Sequence, residues 1–308
     1  MRMQQFRAIL PELNHPESPM PYALQLDDRS ATAALRRIAL NELDKAIGAA
    51  GTCESDTLVH ELRKAVKKTR GLLRLVRPGF APFEAENAAL RDTAQGISGL
   101  RDAEVLRQSL QGLGEQETDP EGAEAARALL TQLPETPALA PDHTALADFS
   151  TALGEIRARA THWKAPGKGW TAFAPGLALS YAQARKRMAR AQATRTDEAF
   201  HAWRSRVKHH WYHSRLLAPI WPEMMQAQAD LADRLGETLG AHHDLAVLRA
   251  TLPGPLSPDQ AHALKRLIRR VQKRQEAEAF HLGSRLFAEP PAALADRWGR
   301  WYELWRAE

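Results

Sequence analysis

Cysteine is almost missing from this chain of 308 residues, since Cys53 stands alone. That excludes an internal disulfide and any zinc site built on several cysteines. No stretch approaches the roughly 18 consecutive apolar residues needed to cross a bilayer. The segment 1–10 carries a charge or an amide every few positions where a signal peptide would have an apolar core. A protein of the reducing cytoplasm, without membrane contact, is the expectation. Strand signals are equally scarce, because no run alternates apolar and polar residues with β-branched enrichment.

Helical periodicity fills the space that strands leave. Apolar residues recur at three- and four-residue spacing over 31–49, 57–76, 84–110, 121–133 and 145–163. The same pattern covers 177–193, 197–217, 223–252, 258–287 and 292–306. Pro78-Gly79, Pro219 and Pro253-Gly254-Pro255 stop helices, and Pro134, Pro137 and Pro141 mark a loop. Residues 165–175, rich in Gly and Pro, form the best linker. The predicted fold class is all-α, with enough chain for a large packed core.

A net charge of +5 hides a strong segregation of charge. Residues 109–152 hold one basic residue, Arg127, among many acids. The window 60–77 reverses this, with Arg63, Lys64, Lys67, Lys68, Arg70, Arg74 and Arg77 opposed only by Glu61. The window 201–217 carries Arg204, Arg206, Lys208, Arg215 and four histidines with no acid, and 260–275 holds six cations with no acid. Solvated helix faces would explain any single cluster, whereas fields of this kind together attract polyanions.

The first two basic windows are copies of one another. The segment from Val59 and His60 through Arg63 to Lys67 aligns with Phe200 and His201 through Arg204 to Lys208 at an offset of 141 residues. Arg74 then meets Arg215, Pro78 meets Pro219 and Phe80 meets Trp221. At an offset of 142, Arg101-Asp102 and Val105-Leu106 align with His243-Asp244 and Val247-Leu248. Two helical units of about four helices each follow. The predicted division is an N-terminal extension 1–29, a first unit 30–164, a linker 165–175 and a second unit 176–308, the last ending in a Trp-rich helix.

Within the first copy, His60, Arg63, Lys67, Arg70, Arg74 and Arg77 fall on one stripe about 100° wide, bordering the apolar stripe of Leu62, Val66 and Leu73. Such a ridge is about 25 Å long and suits an extended polyanion better than a single small phosphate. Arg forks match phosphate oxygens, Lys adds mobile charge, and His joins them if an anion raises its pKa. The second copy keeps His201, Arg204, Lys208 and Arg215, adds the Tyr212 hydroxyl, and places Trp211 where the first has Arg70. Asp102 and Asp244, at matching places in the two copies, are expected to hold basic side chains as structural ion pairs.

Catalytic residues are not expected. His209, His213, His242 and His243 lack a metal-ligand motif and sit among cations, so neither metal nor cofactor is expected. No Gly-rich phosphate loop or acidic metal pair accompanies His60 or His201.

The segment Val59-His60-x-x-Arg63-x-x-x-Lys67-Lys68-x-Arg70, with its repeat at His201, Arg204 and Lys208, resembles the CHAD family, the conserved histidine α-helical domain. The run from Leu239-Gly240 through His243-Asp244 to Leu248 is similar to that family's second repeat, and Gly176-Leu177 through Tyr181 to Arg185-Lys186 to its opening. The likeness runs over about residues 30–287. It implies two helical bundles related by a pseudo-twofold axis around a basic groove or pore that binds inorganic polyphosphate, in proteins that associate with polyphosphate granules. The implied binders are His60, Arg63, Lys67, Arg70, Arg74, His201, Arg204, Lys208, Tyr212 and Arg215. Lys64, Lys68, Arg77, Tyr181, Arg185, Lys186 and Arg206 are further candidates. Many relatives carry an N-terminal triphosphatase-type domain, for which no counterpart is expected before residue 30. A nucleic-acid-binding helical protein and a phosphoanhydride-processing enzyme are the alternatives.

Overall fold

The structure is a computed structural model that describes residues 22–52, 58–97, 102–116, 118–133, 143–252 and 256–308, without the side chains of residues 52, 102–104 and 143. Most of the expected N-terminal extension, Cys53, the Pro134–Pro141 loop, the Pro253–Pro255 stop and the Asp102 side chain therefore lie outside the described residues.

Every regular element among the described residues is helical. In chain order they are α1 (Ala31–Thr52), α2 (Leu58–Val76), α3 (Phe83–Gln95), α4 (Asp102–Gly114), α5 (Pro120–Gln132) and α6 (His143–Ala160). A short 3₁₀ turn at Gly169–Ala172 leads to α7 (Ala174–Thr194), α8 (Asp197–Leu216), α9 (Pro222–Thr251), α10 (Pro258–Leu286) and α11 (Pro291–Arg306). Local chemistry sets several starts. Thr196 accepts from the Ala199 N–H to cap α8, and Asp119 accepts from the Gly122 N–H to cap α5. Ser257 and Gln260 close a capping box on α10. Arg195 ends α7 in the left-handed region at φ 52°, the conformation that lets a chain leave a helix.

One sequence expectation needs correction. The periodicity over 84–110 predicts one helix, but α3 stops at Gln95 with Gly96 as its cap, and helix resumes as α4 at Asp102. The matching part of the second half is unbroken, since α9 runs for 30 residues. Glycine lowers helix propensity by about 1 kcal/mol. In α9, however, Gly236 and Gly240 are covered by the side chains of Lys208 and Arg204. A Cβ at Gly96 would meet only the Thr93 carbonyl oxygen, at 3.6 Å, among the described residues, so no side chain packs over it.

Packing follows two cores. In the first half α1 packs on α2 and α6, and α3 packs on α2 and α6. In the second half α7, α8, α9 and α10 pack in succession, and α11 lies on α7. Because α2 also touches α7 and α8, these helices share one hydrophobic core, from Leu35, Leu62 and Leu73 to Leu177, Trp203 and Trp298. A second core joins α4 and α5 to the C-terminal half of α9 and the N-terminal half of α10 through Leu110, Leu129, Leu248, Leu264 and Leu267.

The expected linker is packed rather than loose. Trp170 donates to the Ala295 carbonyl (3.0 Å), and a Cβ at Gly299 would lie 2.5 Å from the Trp170 ring nitrogen. Trp298 and Trp305 of the C-terminal stripe are buried, Trp298 stacking on His210 with ring centroids 5.6 Å apart.

Candidate anion-binding site

Helices α2 and α8 cross at Gly71. A Cβ there would lie 2.9 Å from the Tyr212 Cβ, so only glycine lets the two backbones approach this closely. The His213 ring donates from Nε2 to the Gly71 carbonyl (3.1 Å). This crossing decides which basic side chains meet.

Arg70 and Arg74 of the α2 ridge come together with Arg206 and His209 of α8. The Arg74 guanidinium is pushed down to about 9, first by burial, then by Arg70, Arg206 and Arg77, with only Glu84 opposing. Arg206 is lowered by burial and by Arg187 and Arg77. Arg70, which donates to the Asn87 side chain (3.0 Å), is lowered by burial and by Arg91. His209 lies in their midst. Burial holds it well below the ordinary histidine range, and Arg74, Arg206, His213 and Arg70 push it further. Its Nδ1 is buried without a hydrogen-bond partner among the described residues. Basic groups thus crowd one partly desolvated spot to which carboxylates contribute little.

The expected α8 stripe lies on another face, against α9. Gly236 and Gly240 form a groove there. A Cβ at Gly236 would fall 2.9 Å from Lys208 Cε, and one at Gly240 would fall 3.2 Å from Arg204 Nε. Lys208 pairs with Asp233 (2.8 Å). Both Lys208 and Arg215 sit over the Trp211 ring, 4.7 and 5.0 Å from its centroid. Trp211, the departure from a cation at that position, therefore holds two neighbouring cations in place. At the start of the stripe, His201 meets His243 with ring centroids 4.3 Å apart. Both imidazoles are lowered mainly by burial, with Arg204 adding to it.

Other expected residues separate. His60 and Lys67 are exposed and Arg63 is half-buried, continuing the α2 ridge toward its N-terminus. Lys64 pairs with Glu61 (3.2 Å) and Arg77 with Glu84 (2.9 Å). Lys68 is bound to the buried Glu42 carboxylate (3.0 Å). Arg185 donates to the Glu289 carbonyl (3.0 Å), toward α11, and Lys186 is exposed. Tyr181 and Tyr212 are buried in the core. Tyr181 donates to the Leu286 carbonyl (2.8 Å), and Tyr212 packs edge-on against Tyr22 in the crossing. Asp244 acts on neighbouring His243 but forms no ion pair among the described residues, and Asp233 takes the role expected of it at Lys208.

Arg91, Arg187, His209 and His243 were not among the expected binders. They lie off the repeated stripe; Arg187 belongs to a basic run and His209 and His243 to His-rich runs, while Arg91, between Leu90 and Asp92, carried no sequence signal. No three His, Cys, Asp or Glu side chains among the described residues converge to hold a metal ion. None of the described helices is long and apolar enough to cross a membrane.

A family model described as the CHAD domain matches residues 30–253. The chain belongs to the CHAD family. No curated protein matches it. The matched CHAD region begins where the resemblance placed it and takes in α1 to α9, including both basic helices and the Gly236–Gly240 groove. It ends before α10, short of the expected limit near residue 287.

Proposed function

We propose that this CHAD protein is a non-enzymatic binder of long inorganic polyphosphate, acting in the cytoplasm and associating with polyphosphate granules. One observation carries the reading. Arg74 is half-buried beside Arg70, Arg77 and Arg206, with Glu84 the carboxylate that opposes them. Like charges held this closely out of water are costly unless an anion joins them. A chain of linked phosphates offers many oxygens to several guanidinium forks at once. The family's association with polyphosphate names this polyanion over others.

The two halves, residues 30–164 and 176–308, are read as a duplication about a pseudo-twofold axis. Gly71 and Tyr212 stand at equivalent places in the repeat and touch one another, as an axis through the crossing requires. The α2 ridge with Arg206 and His209 would form the stronger wall of the basic groove. The α8 stripe, tied to Asp233, would form the weaker one.

The test is a titration with polyphosphates of defined length at two salt concentrations, with RNA as competitor. Tight binding that grows with chain length, falls steeply with salt and resists RNA is expected. The double variants Arg74→Glu/Arg206→Glu and Arg63→Glu/Arg204→Glu should abolish it while helicity stays intact. Equal displacement by RNA would reduce the protein to a general polyanion binder. Absence of binding at low salt would overturn the reading, and phosphate release from polyphosphate with Mg²⁺ would overturn the non-enzymatic part.

A further inference from the structure

The third basic window, 260–275, takes no part in the site at the α2–α8 crossing. It forms the N-terminal half of α10, whose inner face gives Ala261, Leu264, Leu267 and Ile268 to the second core. Its cations are thereby turned outward and divide into two rows.

The first row is Arg266, Arg270 and Arg274, each four residues from the next, and it is closed by the segment joining α4 and α5. Arg266 holds Asp119 and Glu121 (3.0 Å each), Arg270 donates to the Thr118 carbonyl (2.8 Å), and Arg274 to the Gln116 side chain (2.6 Å). The second row is His262, Lys265, Arg269 and Lys273. All four are exposed, and His262, Lys265 and Lys273 have neither an ion pair nor a hydrogen bond among the described residues. The carboxylate nearest to Arg269 is Glu276, 3.9 Å away and already held by Arg195 at 3.1 Å. Together with Arg266 and Arg270 these side chains line one open face of α10.

Like charges at i, i+4 destabilise a helix, and a face needed only for solubility mixes both signs. Acids return on α10 at Glu276 and Glu278, directly after the basic stretch. The first row shows what this surface selects, because its guanidinium groups take the Asp119 and Glu121 carboxylates, the Thr118 carbonyl and the Gln116 side-chain oxygen. The second row repeats that chemistry with its anion still to come. From His262 to Lys273 it extends about 17 Å, which again suits a linear anion.

We propose that the His262–Lys273 face of α10 is a second polyphosphate-binding surface, separate from the cluster of Arg74, Arg206 and His209. One molecule then holds two chain segments and bridges polyphosphate chains. The identity of the ligand rests on the function proposed above, while the existence of the surface rests on the α10 geometry.

The test uses the full chain and its variant Lys265→Glu/Arg269→Glu/Lys273→Glu, with Lys265→Gln/Arg269→Gln/Lys273→Gln as a milder form should the first lose helicity. Calorimetry with a polyphosphate short enough to cover one surface gives the stoichiometry, and light scattering with long chains reports bridging. The wild type is expected to bind two short chains and to bridge long ones. The triple variant is expected to bind one and to lose bridging, keeping the other site's affinity. A wild type that binds one chain, with the variant unchanged, overturns the second surface and leaves the first reading intact. Binding of nothing by the wild type sinks the first reading instead. Loss of RNA binding alone in the variant would assign the α10 face to nucleic acid and overturn the proposal.

Discussion

The His213 ring on α8 donates from Nε2 to the carbonyl oxygen of Gly71 on α2, across the contact that joins the two basic helices. Nδ1 is a buried atom without a partner among the described residues, so the crossing is built around a neutral imidazole. Burial, aided by His210 and Arg74, pushes His213 down to about 3, and burial pushes His210 to about 4.

Stability should therefore fall in mild acid. Both histidines have folded-state values below the unfolded one, so the unfolded chain binds protons more readily. Their contribution is complete above about pH 6.5 and is lost as pH falls from there toward 4 and then 3. Urea unfolding should show a loss of about 4 kcal/mol between neutral pH and about pH 5. Stability that stays level over that interval would show that neither ring must be neutral in the fold.

Anion binding should take up protons. In the free protein His209 is kept neutral by burial and by Arg74 and Arg206. A bound polyanion offsets those cations and raises the His209 value, so affinity should strengthen as pH falls. Calorimetry in buffers of different ionisation enthalpy would register the uptake, and His209→Gln should shrink it. Equal uptake in wild type and variant would assign the proton elsewhere.

Two glycines should respond oppositely to alanine. A Cβ at Gly176 would lie 1.8 Å from the Leu75 carbonyl oxygen and 2.8 Å from that of Arg74. Gly176→Ala should cost about 3 kcal/mol or more by forcing α7 away from α2. At Gly154, on α6, a Cβ meets nothing within 4 Å among the described residues. Gly154→Ala should be neutral or stabilise by up to about 1 kcal/mol. Denaturant midpoints of the two variants check this, and a harmless Gly176→Ala would refute the close approach of α7 to α2.

Asp233→Asn should release Lys208 at little cost in stability, under about 1 kcal/mol, since the pair is partly exposed. With its carboxylate gone, Lys208 becomes free to meet an anion, and polyphosphate affinity at low salt should rise a few-fold. An unchanged affinity would place Lys208 outside the binding surface.

Much of this protein is decided by local sequence. The three- and four-residue spacing of Leu62, Val66 and Leu73 makes α2 a helix whatever surrounds it, and the same spacing lines up Arg63, Lys67, Arg70 and Arg74. Caps such as Thr196 and Ser257 fix helix starts within a few residues. The order of the basic motifs, repeated at an offset of 141 and then 142 residues, was enough to place the chain in its family.

Which cations face one another was decided only by tertiary structure. Lys68 and Lys208 look equivalent to their neighbours in the sequence, but Glu42 and Asp233 reach them from α1 and α9. Arg206 and His209 lie off the repeated stripe, yet the close approach at Gly71 turns them toward Arg70 and Arg74. Tyr181 and Tyr212 were withdrawn into the core by the same packing. The physical reason is that periodicity defines a helix's faces within one element, whereas charge and burial at a site sum over every element that packs beside it. That sum depends on backbone approaches, such as Gly71 against Tyr212, that no local pattern encodes.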